Sequence, residues 1–449
     1  MTRSTLCSLL LALAVISAGS FALCAQAQPQ TLILYGGQVI PMTNQDEVYE
    51  AIAISGNEII ALGQDEEILA LASASTQLVD LAGRAAFPGF IDPHTHLFDN
   101  ASQEGMTLEQ VQQMAIENGI TTAANMFTTP WNIVDYISFA QAGGMRFRYY
   151  LYLIYTDSCG GIEGFWYEDY LPKEEIAPRL FMGGVKLFAE RSVCGQETVM
   201  FNFSQAIRET LTDRGSQMWG DAWLILSEDD LTDVIARIQE KGYQAAIHAV
   251  GDLAIETCLN AYETVLDGQP NELRHMILHN QFLRDDMLPR YAELGVPALV
   301  EMTSPQSVEL YSRYVGEDNL YLFRRWSDLL QAGALMAIDS DWNFYPISPI
   351  DKLRAFVGGE NMDSDLTSLG PCEDRSPQLL STWDALVMMT KNAAYALCIE
   401  ESLGTLAPGK LADVVVLSQN PLKMDPLLFA TAQVDMTIID GQVEWDRQQ

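Results

Sequence analysis

The sequence predicts an α/β protein in which a (β/α)8, TIM-type barrel stands beside a small β-sandwich formed from the N- and C-terminal segments. Three observations predict it. Residues 83–400 alternate apolar runs of strand length with helical patterns, which is how βα units around a parallel sheet read. The flanks, 28–82 and 401–449, read as short strands and tight turns only. The 449 residues, 48% hydrophobic and 9% aromatic, supply core for one barrel of roughly 250 residues and a smaller unit beside it. That composition excludes a disordered chain, a collagen-like repeat and a disulfide miniprotein.

Taken in order, residues 1–27 read as a targeting segment rather than fold. Arg3 is a short basic region, Leu9 to Ile16 is apolar without charge, and Ala25-Gln26-Ala27 has the small-x-small form of a cleavage site. The apolar run is shorter than the about 20 residues a membrane span needs. The expectation is an exported chain, periplasmic or secreted, with no membrane span after cleavage; lipidation at Cys24 is disfavoured by the bulky Leu23 before it. Two of the seven cysteines, Cys7 and Cys24, leave with that segment. The odd remainder cannot be a complete disulfide framework. A bridge between Cys159 and Cys194, each in a loop after a strand, is one that export permits.

The N-terminal flank gives strands at Thr31 to Tyr35, Gln38 to Pro41, Ala51 to Ser55 and Glu58 to Leu62, punctuated by Gly36-Gly37 and Gly56-Asn57. The C-terminal flank gives Ala412 to Leu417, Met436 to Ile439 and Gln442 to Trp445 around Asp440-Gly441. Between them, eight barrel strands are expected to begin near Ala86, Ile120, Phe147, Phe181, Tyr243, Met276, Val296 and Ala334. Ser227 and Asp230 form a capping box for a helix that ends at Lys241-Gly242; Asp252 precedes a helix to Leu266, and Thr382 opens one to about Leu397. The segment from Glu190 to Ser227 is long for a βα connection and carries Trp219 and Trp223, either a lid or packing against the barrel.

The charge is −35, from 25 Lys+Arg against 60 Asp+Glu. Binding to a phosphate backbone depends on basic residues displacing counterions, so nucleic acid and anionic membranes are excluded as partners. A small-molecule substrate is the expectation, and a homo-oligomer is left open.

Chemistry concentrates at the ends of the apolar runs, the C-terminal strand ends where a barrel keeps its active site. Pro88-Gly-Phe-Ile-Asp-Pro-His-Thr-His96 places His94 and His96 two apart, so on a strand they point the same way and can share one cation. Lys186 lies within the apolar run Phe181 to Phe188, where an ammonium group is costly to bury without a partner; it either snorkels, pairs with Glu190, or loses its charge. His248 ends Ala245 to Ile247, His279 follows Met276-Ile-Leu278, and Asp341 closes Ala334 to Ser340 with Asp339 on the same face. His275 lies at the start of its strand, four residues before His279.

The string from Pro88 to His96 resembles the first-strand metal motif of the amidohydrolase superfamily, metal-dependent hydrolases built on a (β/α)8 barrel. Val185-Lys-Leu-Phe-Ala189, Ala246-Ile-His-Ala-Val-Gly-Asp252, Arg274-His-Met-Ile-Leu-His-Asn-Gln281, Ser340-Asp-Trp342 and Leu406-Ala-Pro-Gly-Lys-Leu-Ala-Asp-Val-Val-Val416 follow in the family's order. They narrow the resemblance to amidohydrolase family 3, the branch that includes N-substituted formamide deformylase. The resemblance implies a divalent centre, one or two Zn2+-like ions, held by His94, His96, Lys186, His248, His279 and Asp341, with Lys186 carboxylated as a bridge. It implies Asp341 as the catalytic proton acceptor, and His275 is a candidate to assist the oxyanion. Four positions depart from the family, Glu190-Arg191 replacing Asp-Gly, Leu278 a glutamate and Asn343 a proline, and the stretch from His96 to the helix at Leu108 lacks the family's large insertion.

The function expected is hydrolysis of a non-peptide C–N bond, amide or formamide-like, by metal-activated water. A small-peptide dipeptidase, a lactonase or a phosphotriesterase is the alternative on the same centre. A barrel that binds metal and ligand without turnover is the alternative from another class.

Overall fold

A computed structural model describes residues 31–192, 203–208, 224–302, 317–358 and 378–448. The targeting segment, Cys194, Trp219 and Trp223 lie outside the described residues. The N-terminal flank forms β1 (Thr31–Tyr35), β2 (Gln38–Val39), β3 (Ala51–Ser55), β4 (Glu58–Gly63), β5 (Gln77–Asp80) and β6 (Ala85–Pro88). The middle forms β7 (Phe90–Thr95), β8 (Ile120–Thr128), β9 (Arg148–Ile154), β10 (Glu175–Ala177), β11 (Leu180–Phe188), β12 (Ala245–Ala249), β13 (Met276–His279), β14 (Ala298–Glu301) and β15 (Met336–Asp339). The C-terminal flank adds β16 (Val414–Leu417), β17 (Val434–Ile439) and β18 (Gln442–Asp446).

Eight of these strands run parallel in the order β7-β8-β9-β11-β12-β13-β14-β15, with helices between most of them, a (β/α)8 barrel. The ends meet just past β15: the Asp341 N–H donates to the His94 carbonyl at 2.9 Å, and the His96 N–H to the Trp342 carbonyl at 2.7 Å. One sheet of the flanks is N-terminal, β4-β3-β1-β5; the other, β18-β17-β16-β6-β2, interleaves strands from both ends of the chain. Leu32, Leu34, Ile52 and Ile54 share a buried core with Val414, Val416 and Ile438. The barrel is fastened to this layer by the buried Arg148, which pairs with Asp413 at 2.5 Å and with Asp440.

The first barrel strand is not the expected one. The run from Ala85 to Ile91 is divided at Gly89: β6 joins β16 and β2 in the flanking sheet, and only from Phe90 does the chain enter the barrel. A Cβ at Gly89 would lie 2.3 Å from Thr121 Oγ1, so only glycine lets the chain pass between the two sheets there. The helix expected from Thr382 to about Leu397 is also two, Thr382–Met388 and Lys391–Ala396. The break frees the Met389 carbonyl, which accepts from Ile91 N–H at 3.0 Å in the first barrel strand. The helix Glu228–Glu240 starts as expected, with the Ser227 side chain accepting from Asp230 N–H. Asp252 lies inside its helix, Asp252–Leu266, and Gly251 caps it.

Side chains alternate along the barrel strands. Ile277, Val185 and Leu187 pack outward toward the helices, while Tyr152, Ala246, Leu278, Leu299 and Ala337 fill the interior. Gly183 and Gly184 make room for the Tyr152 ring: a Cβ at Gly184 would lie 2.5 Å from the Gln244 carbonyl oxygen and 2.8 Å from the ring. His275, at the opening of β13, is fully buried and stacked on Tyr262 with centroids 5.6 Å apart. Its Nδ1 accepts from Ala245 N–H at 3.0 Å, and its Nε2 faces Gln239 Oε1 at 3.2 Å.

Gly184→Ala is expected to lower unfolding stability by about 1–3 kcal/mol, because neither the carbonyl nor the buried ring can retreat; thermal melting checks it. Burial pushes the pKa of His275 from 6.5 down to about 4. The neutral ring is therefore favoured by the folded state, and its contribution is present above pH 6.5 and lost as the pH falls toward 4. That loss amounts to about 3 kcal/mol. Stability curves of the natural chain and of His275→Gln, measured across this window, are expected to converge as the pH falls; a constant difference between them contradicts the assignment.

Candidate metal centre

The interior face of the barrel changes from apolar to charged in its last layer. His248 lies two residues beyond Ala246, Glu301 two beyond Leu299, and Asp339 two beyond Ala337, so simple alternation lifts each above the interior core. Lys186 comes up from β11 by the same rule, being register partner of Ala246. His279 breaks the rule: it would share the outward face of Ile277, but φ is +77° there and +53° at Asn280, and its side chain lines the pocket. The Asn280 side chain secures this turn by donating to the Ile277 and Leu299 carbonyls, each at 2.9 Å. Asp341, with φ +44°, is turned in at the seam. His279, Asn280 and Asp341 thus carry left-handed backbone at this mouth, a conformation that costs a non-glycine residue energy.

The side chains converge. His94 and His96 have ring centroids 5.5 Å apart, and their Nε2 atoms stand 3.2 and 3.3 Å from Asp341 Oδ1. His279 lies 5.1 Å from His94 and 4.4 Å from His248, centroid to centroid. Ligand atoms of His94, His279 and Asp341 all fall within 4.8 Å of one another. Lys186 Nζ lies 4.6 Å from the Phe188 ring centroid. All six predicted ligand positions line one cavity of about 440 Å³. His275 does not reach it. The catalytic role considered for that residue is corrected to a structural one, since its ring nitrogens meet Ala245 and Gln239 at the other end of the strand.

Burial pushes Lys186 down from 10.5 to about 7, against the opposing pull of Asp341, Asp339 and Glu301. Burial, aided by Lys186 and neighbouring histidines, likewise holds His94 and His248 well below the usual histidine value. His96 goes the other way: burial lowers it, but Asp341 and Asp99 outweigh that and raise it to about 9. Asp339 is pushed well above the carboxylate range, by burial first and then by Glu301, Asp92 and Asp341.

Glu301 and Asp99 were not singled out in the sequence. Glu301 Oε2 stands 3.2 Å from His279 Nδ1, and its Oε1 accepts from Gln281 Nε2 at 2.6 Å. It ends the apolar run Val296 to Val300, the same signal that pointed to His248. Asp99 lies on a turn of helix after His96, with no periodic signal to mark it. The Glu190 carboxylate accepts from Val250 N–H at 2.6 Å and Gly251 N–H at 2.9 Å, fixing the turn after His248. Asn343 exchanges hydrogen bonds with Asn100 at 2.6 Å and Glu104 at 2.5 Å, tying the seam to the loop beyond His96. Phe127, Phe188 and Phe344 stand around His96 and His248, with Phe344 half exposed at the lip.

The donor set fits a divalent cation. His248 Nε2 and both oxygens of Asp339 are buried with no hydrogen-bond partner among the described residues. Against Asp99, Glu301 and Asp341 the cavity lining offers one lysine, and Asp339 is buried without a hydrogen-bond partner among the described residues, so a cation would satisfy unpaired donor atoms and offset surplus negative charge together. Imidazole and carboxylate donors suit Zn2+ and similar ions.

The profile of the Amidohydrolase family (Amidohydro_3) matches residues 156–444. Over 276 residues the chain is 28% identical to YtcJ of Bacillus subtilis (strain 168), whose name marks it as a candidate amidohydrolase; the match covers 60% of this chain and 48% of that protein. It is 28% identical over 225 residues to the N-substituted formamide deformylase of Arthrobacter pascens, covering 49% of this chain and 40% of the other. The chain thus spans less than half the length of these curated relatives. The crystal structure of an uncharacterized metal-dependent hydrolase from Pyrococcus furiosus superposes with a TM-score of 0.72 at 18% identity, over 88% of this chain and 100% of that one. With a profile match over more than half of its length, the chain belongs to the Amidohydrolase family.

Proposed function

We propose that the protein is a metal-dependent hydrolase that cleaves a non-peptide C–N bond, an amide or formamide-like group, in a small molecule. The observation that carries the reading is the convergence of His94, His279 and Asp341 ligand atoms within 4.8 Å in a barrel mouth where His248 Nε2 has no hydrogen-bond partner among the described residues. These residues, with His96, would hold the cation, and a carboxylated Lys186 would serve as a further anionic ligand. When bound, the cation lowers the pKa of water and polarises a carbonyl oxygen.

The chain's own residues supply the rest. Asp341 Oδ1, turned into the mouth, takes the proton as water adds to the carbonyl carbon and returns it to the nitrogen as the C–N bond breaks. Amide and water thereby become a carboxylic acid and an amine. Phe127, Phe188 and Phe344 exclude bulk water around the reacting group. Burial brings the Lys186 amine down to about 7, so that near neutral pH a substantial share is uncharged, the form that would add carbon dioxide to give an anionic two-oxygen group. A cavity of about 440 Å³ suits a small molecule rather than a long peptide. The relative named for N-substituted formamide supports the choice of bond. We also read the protein as exported: residues 1–27 have the form of a targeting segment, and Cys159 is disulfide-bonded, which an oxidising compartment sustains.

His94→Ala is expected to lose bound metal and about 100-fold or more of its hydrolysis of N-formyl and N-acyl amines, with its melting curve retained. Natural protein loaded with Zn2+ that turns over dipeptides, lactones or phosphotriesters but no N-acyl amine would refute the bond assignment. Lys186 is tested separately: protein equilibrated with 13C-bicarbonate should show a carbamate carbon resonance that Lys186→Met lacks.

A further inference from the structure

We infer that Asp99 is a positioning residue that fixes which nitrogen of His96 is presented to the metal, at the end of a directed hydrogen-bond chain starting from the backbone. The inference rests on the proposed metal reading and deepens it. Asp99 Oδ2 stands 3.1 Å from His96 Nδ1, while His96 Nε2 faces Asp341 across 3.3 Å of the cavity. Both carboxylates only accept, so in the metal-free protein they compete for the ring proton; with Asp341 drawn to the cation, Asp99 keeps that proton on Nδ1. That leaves Nε2, on the cavity side, as the nitrogen whose lone pair meets a cation.

The direction is enforced from further back. Phe98 N–H donates to Tyr149 Oη at 3.2 Å, so the tyrosine's own proton is turned to Asn125 Oδ1, 2.6 Å away. With its oxygen occupied as acceptor, the Asn125 amide must direct Nδ2 at Asp99 Oδ1, at 2.8 Å, and at Thr128 Oγ1, at 2.9 Å. Tyr136 Oη donates to the same Asp99 oxygen at 2.9 Å. One oxygen of Asp99 is therefore taken by donors from β8 and the following helix, and the other is left for His96. Asn125 and Tyr149 are fully buried, so water does not compete for these bonds. Asn125, Tyr136 and Tyr149 do not line the cavity, and Asp99, which does, meets His96 rather than the trio of His94, His279 and Asp341; they act through His96.

The chain has five histidines, so a sample labelled with 15N only in histidine resolves each ring. In the metal-free full-length protein below its Zn2+ occupancy, Asp99→Ala is expected to shift His96 from the Nδ1–H toward the Nε2–H tautomer at pH 10. In chelator competition its Zn2+ Kd is expected to rise about 10- to 100-fold. Tyr149→Phe keeps the ring and removes one oxygen from the chain, so it carries the test should Asp99→Ala fail to fold; a smaller shift in the same direction is expected for both readouts. A folded Asp99→Ala with natural tautomer populations and natural Zn2+ Kd overturns the inference alone, as does Tyr149→Phe with both unchanged. If the natural protein binds no Zn2+, the metal reading falls and this inference with it.

Discussion

The centre exists because the barrel closes where it does. At the seam the backbone of the last strand's continuation bonds to that of the first: Asp341 N–H to the His94 carbonyl, His96 N–H to the Trp342 carbonyl. Those two bonds set three proposed ligands within reach of one another although almost 250 residues separate them in the chain. The seam is reinforced underneath by a fully buried pair, Lys352 Nζ and Asp92 Oδ2 at 2.8 Å, and Asp92 Oδ1 accepts from Ser340 N–H at 3.0 Å. A buried ion pair of this kind contributes little net stability against its desolvation, but it specifies geometry, here the approach of residues 340–342 to β7.

Above the seam the barrel carries an electrostatic conflict that the rest of the interior avoids. Tyr152, Leu278 and Leu299 form an apolar floor, and directly over it stand carboxylates without enough cationic partners. Burial and the neighbouring carboxylates together drive Asp339 toward its protonated form, a symptom of missing positive charge, while burial drives Lys186 toward its neutral form against the carboxylates' pull. Local sequence preference, packing and polar satisfaction agree through the lower barrel and the flanking sheets, then disagree in this one layer, as happens where a fold gives up stability for function.

The outline of this arrangement was legible in the sequence because strands alternate and barrel chemistry gathers at strand ends. His94, His96, Lys186, His248 and Asp341 each terminate or interrupt an apolar run, and each lines the cavity. Glu301 carried the same signal and was passed over. Asp99 carried none, since it acts through a ring three residues before it on an irregular turn. His275 reads at the start of its strand, which argues for a structural role over the oxyanion role also considered, and the fold agrees with the former, because a strand carries residues four apart to opposite ends of the barrel wall. The splits at Gly89 and Thr390 were hidden because an apolar run looks the same whether one sheet or two receive it.

By itself the sequence determined the periodicities, and through them the α/β barrel and its flanking strands, because hydrophobic spacing is a local property of the chain; the proposed ligand set came from the family resemblance that its motifs carry. Only the tertiary structure decided which strand begins the barrel, which face His279 presents and how Asp99, Asn125 and Tyr149 line up behind His96. Those outcomes depend on close approach between residues distant in sequence, Gly89 against Thr121, Asn280 against Leu299, His94 against Asp341. Steric exclusion and directed hydrogen bonds act only once the surfaces have met, and no pattern along the chain records them beforehand.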